Sequence, residues 1–360
     1  MNAVSRVLAP RSRWLPALLL CLAMLGCAEA PPLPTPASPP PIRQTRDLLL
    51  FEQGDPAKPA PAAPRKALLL VGGGDRPKEA FSWWFEQAGH GHVVILRASY
   101  GGEHGDEFYR KVGGITSART IVFRSRKAAF DPQVAAWLAG ADAIFVSGGD
   151  QSNYLRYWRD TPVQIALNKH LAAGKPLGGT SAGLAIMGRY VYGALDGNSL
   201  TSDEILKRSD TSQATIAEDF LRAEPLYSAG VITDTHFAKR KRQGRLIGMM
   251  ARITQTHPGA PVLGVAVDED AVLGVDAKGE GRVFSENGDR AWLFRPGAAR
   301  IETGKPLQAS GWTIIGLDAS SRLYTSSDWR VDKPAYVGQA DITDGIIRYT
   351  PAWPAGQGSP

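Results

Sequence analysis

The sequence predicts an α/β protein: a doubly wound, mostly parallel sheet extended at its C-terminal end by further β-strands. Three observations carry that reading. Between Lys66 and Thr180, short wholly apolar runs alternate with helical stretches, the signature of buried parallel strands and their right-handed crossovers. Glycine-rich turns close three of those runs, at Gly72 to Asp75, Gly148 to Gln151 and Gly179 to Gly183. Past Asp270 the helical pattern gives way to turns and short β-type runs such as Ala291 to Phe294 and Trp312 to Leu317.

The chain opens on an export-type segment. Arg6, Arg11 and Arg13 precede an apolar run, Trp14 to Leu25, that is too short to span a bilayer permanently. Met24-Leu25-Gly26-Cys27 resembles a lipobox, and a lipid on Cys27 would tether the protein to a membrane of the cell envelope. Ala28-Glu29-Ala30 offers an ordinary cleavage site instead, which would leave a secreted protein. Cys21 and Cys27 are the two cysteines of the chain, so the folded part has neither a disulfide nor a cysteine nucleophile. Eleven of the 34 residues from Pro31 to Pro64 are proline, which reads as an extended linker over 28–65. Leu48-Leu49-Leu50-Phe51 interrupts it as a stray strand that could dock on the domain.

The domain is expected over 66–350, with a core at 66–270, an extension at 271–350 and a tail at 351–360. At 360 residues and 43 % hydrophobic composition the chain can bury a large core. Its formal charge is +6; three of those charges lie in the export segment, leaving +3. No basic block with interleaved aromatics points to nucleic acid.

In order, the elements are a strand at Ala67 to Val71, a helix from Pro77 to Gln87 and a strand from His92 to Leu96. A helix near Asp106 to Lys111, a strand from Thr120 to Phe123 and a helix from Pro132 to Leu138 follow. Then come a strand at Ala143 to Val146, helices around Tyr154 and from Pro162 to Ala172, and the approach to Ser181. Neither Gly72 to Asp75 nor Gly148 to Gln151 completes a dinucleotide or P-loop motif, so no nucleotide cofactor or metal is expected. Their use is close backbone approach to a substrate, with Gln151 as a polar contact.

Gly179-Thr180-Ser181-Ala182-Gly183 has the form of a nucleophile elbow. A serine on a sharp strand-to-helix turn is exposed, and glycines two residues either side let neighbouring backbone pack closely. The following backbone N–H can then stabilise an oxyanion. The plainer alternative is a tight turn whose serine caps a helix.

A serine nucleophile needs a base, and only His236 and His257 follow Ser181. His257 sits in turn composition, Thr256-His257-Pro258-Gly259. Gly230 to Thr233 reads as another buried strand, and His236 in Asp234-Thr235-His236-Phe237 lies just past it, on the same rim as Ser181. Arg240, Arg242 and Arg245 then open a helix; they are either a solvated face or a fork for carboxylates.

Gly148-Gly149-Asp150-Gln151, the Ser181 turn, and Asp234-Thr235-His236-Phe237 with its three arginines together resemble the cyanophycinase family. Weaker echoes are Asp219-Phe220-Leu221 and Gly264 to Glu269. The resemblance spans roughly Lys66 to Asp270. It implies a class I glutamine amidotransferase-like sheet with flavodoxin-like layering, and the chemistry of a serine peptidase family that also contains aspartyl dipeptidase. It further implies Ser181 as nucleophile, His236 as general base, and an oxyanion hole that includes Gly149 and Ala182. Gln151, Asp234, Thr235, Arg240, Arg242 and Arg245 match substrate-pocket positions.

The implied substrate is cyanophycin, a poly-aspartate carrying arginine on its side-chain carboxyls, released as β-Asp-Arg dipeptides. Arginines would hold free carboxylates, and an acid such as Asp234 a guanidinium. Thr235 departs from the Gln usual in cyanophycinases, and the segment from Ser181 to His236 is long. Among Asp196, Asp203 and Glu204, the last is the expected histidine-orienting acid. The rival readings are an aspartyl or isoaspartyl dipeptidase, an α/β-hydrolase esterase, and a non-catalytic binding protein. Sequence does not give the oligomeric state; a homodimer stands as a candidate.

Overall fold

A computed structural model describes residues 41–99 and 101–354, all within one unit, Ser38–Pro360. The expected export segment, with Cys27, and most of the expected tail lie outside the described residues. Among the described residues no helix is long and apolar enough to cross a membrane.

The first sheet is built on five parallel strands, in the spatial order Ser117–Phe123, His92–Arg97, Ala143–Val146, Leu177–Thr180 and Leu68–Val71. The chain winds outward from Leu68–Val71 to Ser117–Phe123 and then returns, which sends its helices to opposite faces. One face packs Phe81, Trp84 and Phe85 of helix Lys78–Gln87 against Leu69, Val71, Val93 and Ile95. The other packs Val134, Leu155 and Leu167, from three successive helices, near Leu68, Val94 and Ile144. The expected helix near Asp106 is a short α-turn, Glu103–Asp106, continued as a π-helix, Glu107–Val112.

The linker reading needs correction. Leu48–Gly54 is a seven-residue strand paired antiparallel along the whole of Ser117–Phe123. Leu48, Leu50 and Phe51 are buried, so this segment is part of the domain. At the other end, Trp353 is buried and its ring stacks on Trp292 at 4.3 Å, so the expected tail contributes to the core.

A second sheet was not anticipated. Its centre is parallel, with Tyr190–Tyr192, Val231–Asp234 and Leu263–Val267 side by side. The C-terminal strands divide between the two sheets. Ala271–Val275 joins the first beside Leu68–Val71, whereas Ala291–Arg295 joins the second beside Leu263–Val267. Helix Gln243–Thr256 covers the outer face of the second sheet, through Leu246, Met250 and Ile253.

Candidate active site

Ser181 follows strand Leu177–Thr180 of the first sheet and has φ 52° and ψ −116°. Positive φ in a non-glycine residue is strained, by roughly 1–3 kcal/mol, and is held only where the surroundings over-determine it. Here Ser181 N donates to Val71 O at 3.1 Å. The flanking glycines are required by contact. A Cβ on Gly179 would fall 2.6 Å from Gly183 backbone, and one on Gly183 would strike Val146 O.

His236 comes from the second sheet, two residues past strand Val231–Asp234, and so does not share the rim of Ser181's own sheet. Its backbone N–H donates to Gly72 O at 2.8 Å, and its ring lies over Gly73, where no Cβ could fit. This explains the first glycine-rich turn: it is the floor under the imidazole. Nδ1 lies 2.5 Å from Glu269 Oε1, and Nε2 lies 2.7 Å from Ser181 Oγ. With the proton on Nδ1 donated to the carboxylate, Nε2 is free to accept the serine proton.

The carboxylate beside His236 is Glu269 and not the expected Glu204. Glu204 lies in a capping box instead, where its N–H donates to Thr201 Oγ1 and its carboxylate accepts from Thr201 N at 2.7 Å. Thr201-Ser202-Asp203-Glu204 is itself the sequence pattern of that box, a signal pointing away from catalysis. Asp203 is paired with Lys207, and exposed Asp196 accepts from Asn198 N. Glu269 had its own signal: it stands just past a wholly apolar strand, Leu263–Val267, parallel to the strand that delivers His236.

Burial lowers the pKa of His236, the nearby Arg240 lowers it further, and Glu269 opposes both; the net shift is downward. Burial works against ionisation of Glu269, but hydrogen bonds from Lys239 and His236 outweigh it and hold its carboxyl below the usual range. Next to it, buried Asp268 accepts from Ala238 N, Arg290 N and the Trp292 indole, tying the His236 loop to the second sheet.

The cleft over Ser181 has a volume of about 220 Å³ and is lined by Gly149, Gln151, Ala182, Asp234, Thr235 and the three arginines, among others. A larger groove of about 390 Å³, between helices Pro132–Ala139 and Pro162–Ala172, is mostly apolar and carries none of this chemistry. Volume alone does not locate the site.

The arginines differ from one another. Arg245 is buried, with Nε 3.0 Å from Asp234 Oδ2 and a second nitrogen on Oδ1. Asp234 thus holds a guanidinium, but the protein's own. Arg242 donates to Thr235 O at 2.7 Å and Thr235 Oγ1 at 3.2 Å. Burial, then the neighbouring Arg245, brings its pKa down to about 10. Arg240 is half exposed at the mouth, 3.9 Å from Glu269. Among the described residues no group of three or more His, Cys, Asp or Glu is arranged to hold a metal.

Residues 107–230 match the profile described as Peptidase family S51. The chain is 33 % identical over 158 residues to cyanophycinases of Trichormus variabilis and of a Nostoc species, across 44 % of this chain and 47 % of each relative. A cyanophycinase of Synechococcus elongatus is 32 % identical over 182 residues, 49 % of each chain. This chain therefore spans about half the length of the curated relatives it matches. A crystal structure of a peptidase from an acI-B1 Actinobacterium aligns over 72 % of this chain and 97 % of its own, with TM-score 0.48 and 18 % identity.

Proposed function

We propose that this chain is a serine peptidase in which Ser181 is the nucleophile, His236 the general base and Glu269 the acid that orients it. The observation that carries the reading is the unbroken relay from Ser181 Oγ through the imidazole to Glu269, with bonds of 2.7 and 2.5 Å. Ser181 Oγ attacks the scissile carbonyl carbon while His236 Nε2 takes its proton, and Glu269 stabilises the imidazolium. The backbone N–H groups of Ala182 and Gly149 receive the oxyanion. The C–N bond breaks as the imidazolium returns the proton to the leaving amine, and a water deprotonated by the same ring then cleaves the ester.

For the substrate we propose an aspartate-based peptide with a free carboxylate, in the first place cyanophycin released as β-Asp-Arg dipeptides. Arg240 and Arg242 at the cleft and the S51 match support it. A second reading, a dipeptidase for aspartyl or isoaspartyl peptides, is favoured by the cleft volume of about 220 Å³, below the roughly 300–1,000 Å³ of ordinary small-molecule pockets. Purified protein and its Ser181→Ala variant, incubated with cyanophycin and a panel of β-aspartyl dipeptides, test both by mass spectrometry. Polymer cleavage supports the first reading and dipeptide cleavage alone the second. No Ser181-dependent hydrolysis of either overturns both.

On sequence alone we also propose export with a lipid on Cys27. A diacylglyceryl-cysteine N-terminus in the intact mass of native protein would support it, and a chain beginning at Ala28 or Pro31 would refute it.

A further inference from the structure

Tyr154 lies behind the cleft, fully buried in helix Gln151–Trp158, with its ring stacked on Trp158 at 4.5 Å. Its hydroxyl reaches back to the turn that leaves strand Ala143–Val146. There its one proton is shared between Ser147 O at 2.7 Å and Gly148 O at 3.1 Å. Ser147 is held again from its side chain, whose Oγ lies 2.7 Å from Nδ1 of His104.

The two carbonyl contacts fix more than the carbonyls. A trans peptide is planar, and its C=O and N–H point in opposite directions. Holding Gly148 O on Tyr154 therefore turns the N–H of Gly149 away from Tyr154. Ser181 borders the same turn, since a Cβ on Gly148 would fall 3.4 Å from Ser181 Cβ. Gly149 has φ 137°, a conformation open to glycine, so the turn's own backbone does little to prevent this peptide from rotating. The tyrosine hydroxyl supplies the restraint.

We infer that Tyr154 is a positioning residue for the Ser181 chemistry: its hydroxyl locks the Gly148–Gly149 peptide so that Gly149 N–H is presented to the oxyanion. The inference rests on the reading of Ser181 as nucleophile. Burial pushes the Tyr154 phenol above its ordinary value, so the hydroxyl remains a donor throughout the working pH range. A donor aimed at developing charge acts in the transition state and not on the ground-state substrate. Its loss should therefore fall on kcat rather than on KM.

The test is Tyr154→Phe, which keeps the ring and its stacking. It is assayed on whichever β-aspartyl substrate the wild type cleaves, and by the rate of Ser181 labelling with a fluorophosphonate, whose phosphonyl oxygen would occupy the same hole. The expected result is a kcat about tenfold or more lower, short of the roughly 10²- to 10³-fold loss of an oxyanion-hole donor itself, KM within about threefold and a matching fall in labelling rate. Turnover and labelling within about threefold of wild type would overturn the proposal, as would a loss confined to KM. If the variant does not fold, 4-fluorophenylalanine at position 154 fills the hydroxyl's space without a donor, and an unchanged kcat there overturns it equally. Ser181→Ala separates the two possible failures. A wild type that neither turns over nor takes label at Ser181 removes the nucleophile reading and this proposal together. An active, labelled wild type matched by Tyr154→Phe removes this proposal alone.

Discussion

Glu269 Oε1 lies 2.5 Å from His236 Nδ1, although 33 residues separate them in the chain. Register explains the meeting. Asp234 pairs with Ala266 in adjacent parallel strands, so the chain leaves both strands at the same height. His236 follows two residues after Asp234 and Glu269 three after Ala266. Ser181 meets them from the other sheet. His236 and Glu269 thus come as one pair from the second sheet, and Ser181 is docked onto it from the first.

Glu269→Gln should lower kcat about 10⁴-fold with little change in fold, because an amide no longer selects the tautomer in which Nε2 accepts. Glu204→Gln should leave the rate intact and cost about 1 kcal/mol or less of stability through the weakened cap. Steady-state kinetics and urea melts of both variants check this. Equal rates for wild type and Glu269→Gln would remove the acid from the relay.

A base works only while neutral, and the His236 pKa is lowered by burial first and Arg240 second. The acid limb of kcat/KM should therefore fall below the value of about 6.5 for an ordinary histidine. Replacing Arg240 by Gln removes a cation and should move the limb upward. A limb at or above the ordinary value, or one indifferent to Arg240→Gln, would contradict the electrostatic account.

The arginines should separate by experiment as they do in space. Arg245→Ala leaves buried Asp234 largely uncompensated and should destabilise the fold by about 3–5 kcal/mol, read in denaturant melts. Arg240→Lys should leave stability unchanged but weaken use of a free α-carboxylate substrate about tenfold to a hundredfold. The amidated analogue should lose less. If the gap between the two substrates survives Arg240→Lys, the carboxylate is held elsewhere.

Asp268 is a test of burial against hydrogen bonding. Burial pushes its pKa up to about 6, although three N–H donors pull the other way. The folded chain then keeps a proton that the unfolded chain releases between about pH 4 and 6. Over that window wild-type stability should fall, relative to Asp268→Asn, as pH rises. A stability difference flat in pH would show that the three donors offset burial, and one that rises with pH that they outweigh it.

Local rules made much of this protein legible. Apolar runs gave the five parallel strands, proline and glycine punctuation gave the helix limits, and the glycines around Ser181 announced a turn that only they can build. His236 was readable because a strand end is a local feature. The sequence alone did not show which strand ends would meet. Sheet pairing is made by backbone groups that every residue shares, so a single chain does not record that a second sheet forms, or that Leu48–Gly54 completes the first. Nor does a carboxylate carry its partner's identity. Glu204 was spent by its neighbour Thr201, Glu269 was delivered to His236 by register, and Asp234 at its strand end was claimed by Arg245 of helix Gln243–Thr256. The sequence by itself determined the elements and the chemistry available at their ends; the tertiary structure decided the pairings, because proximity between distant residues arises only when the strands that carry them are laid side by side.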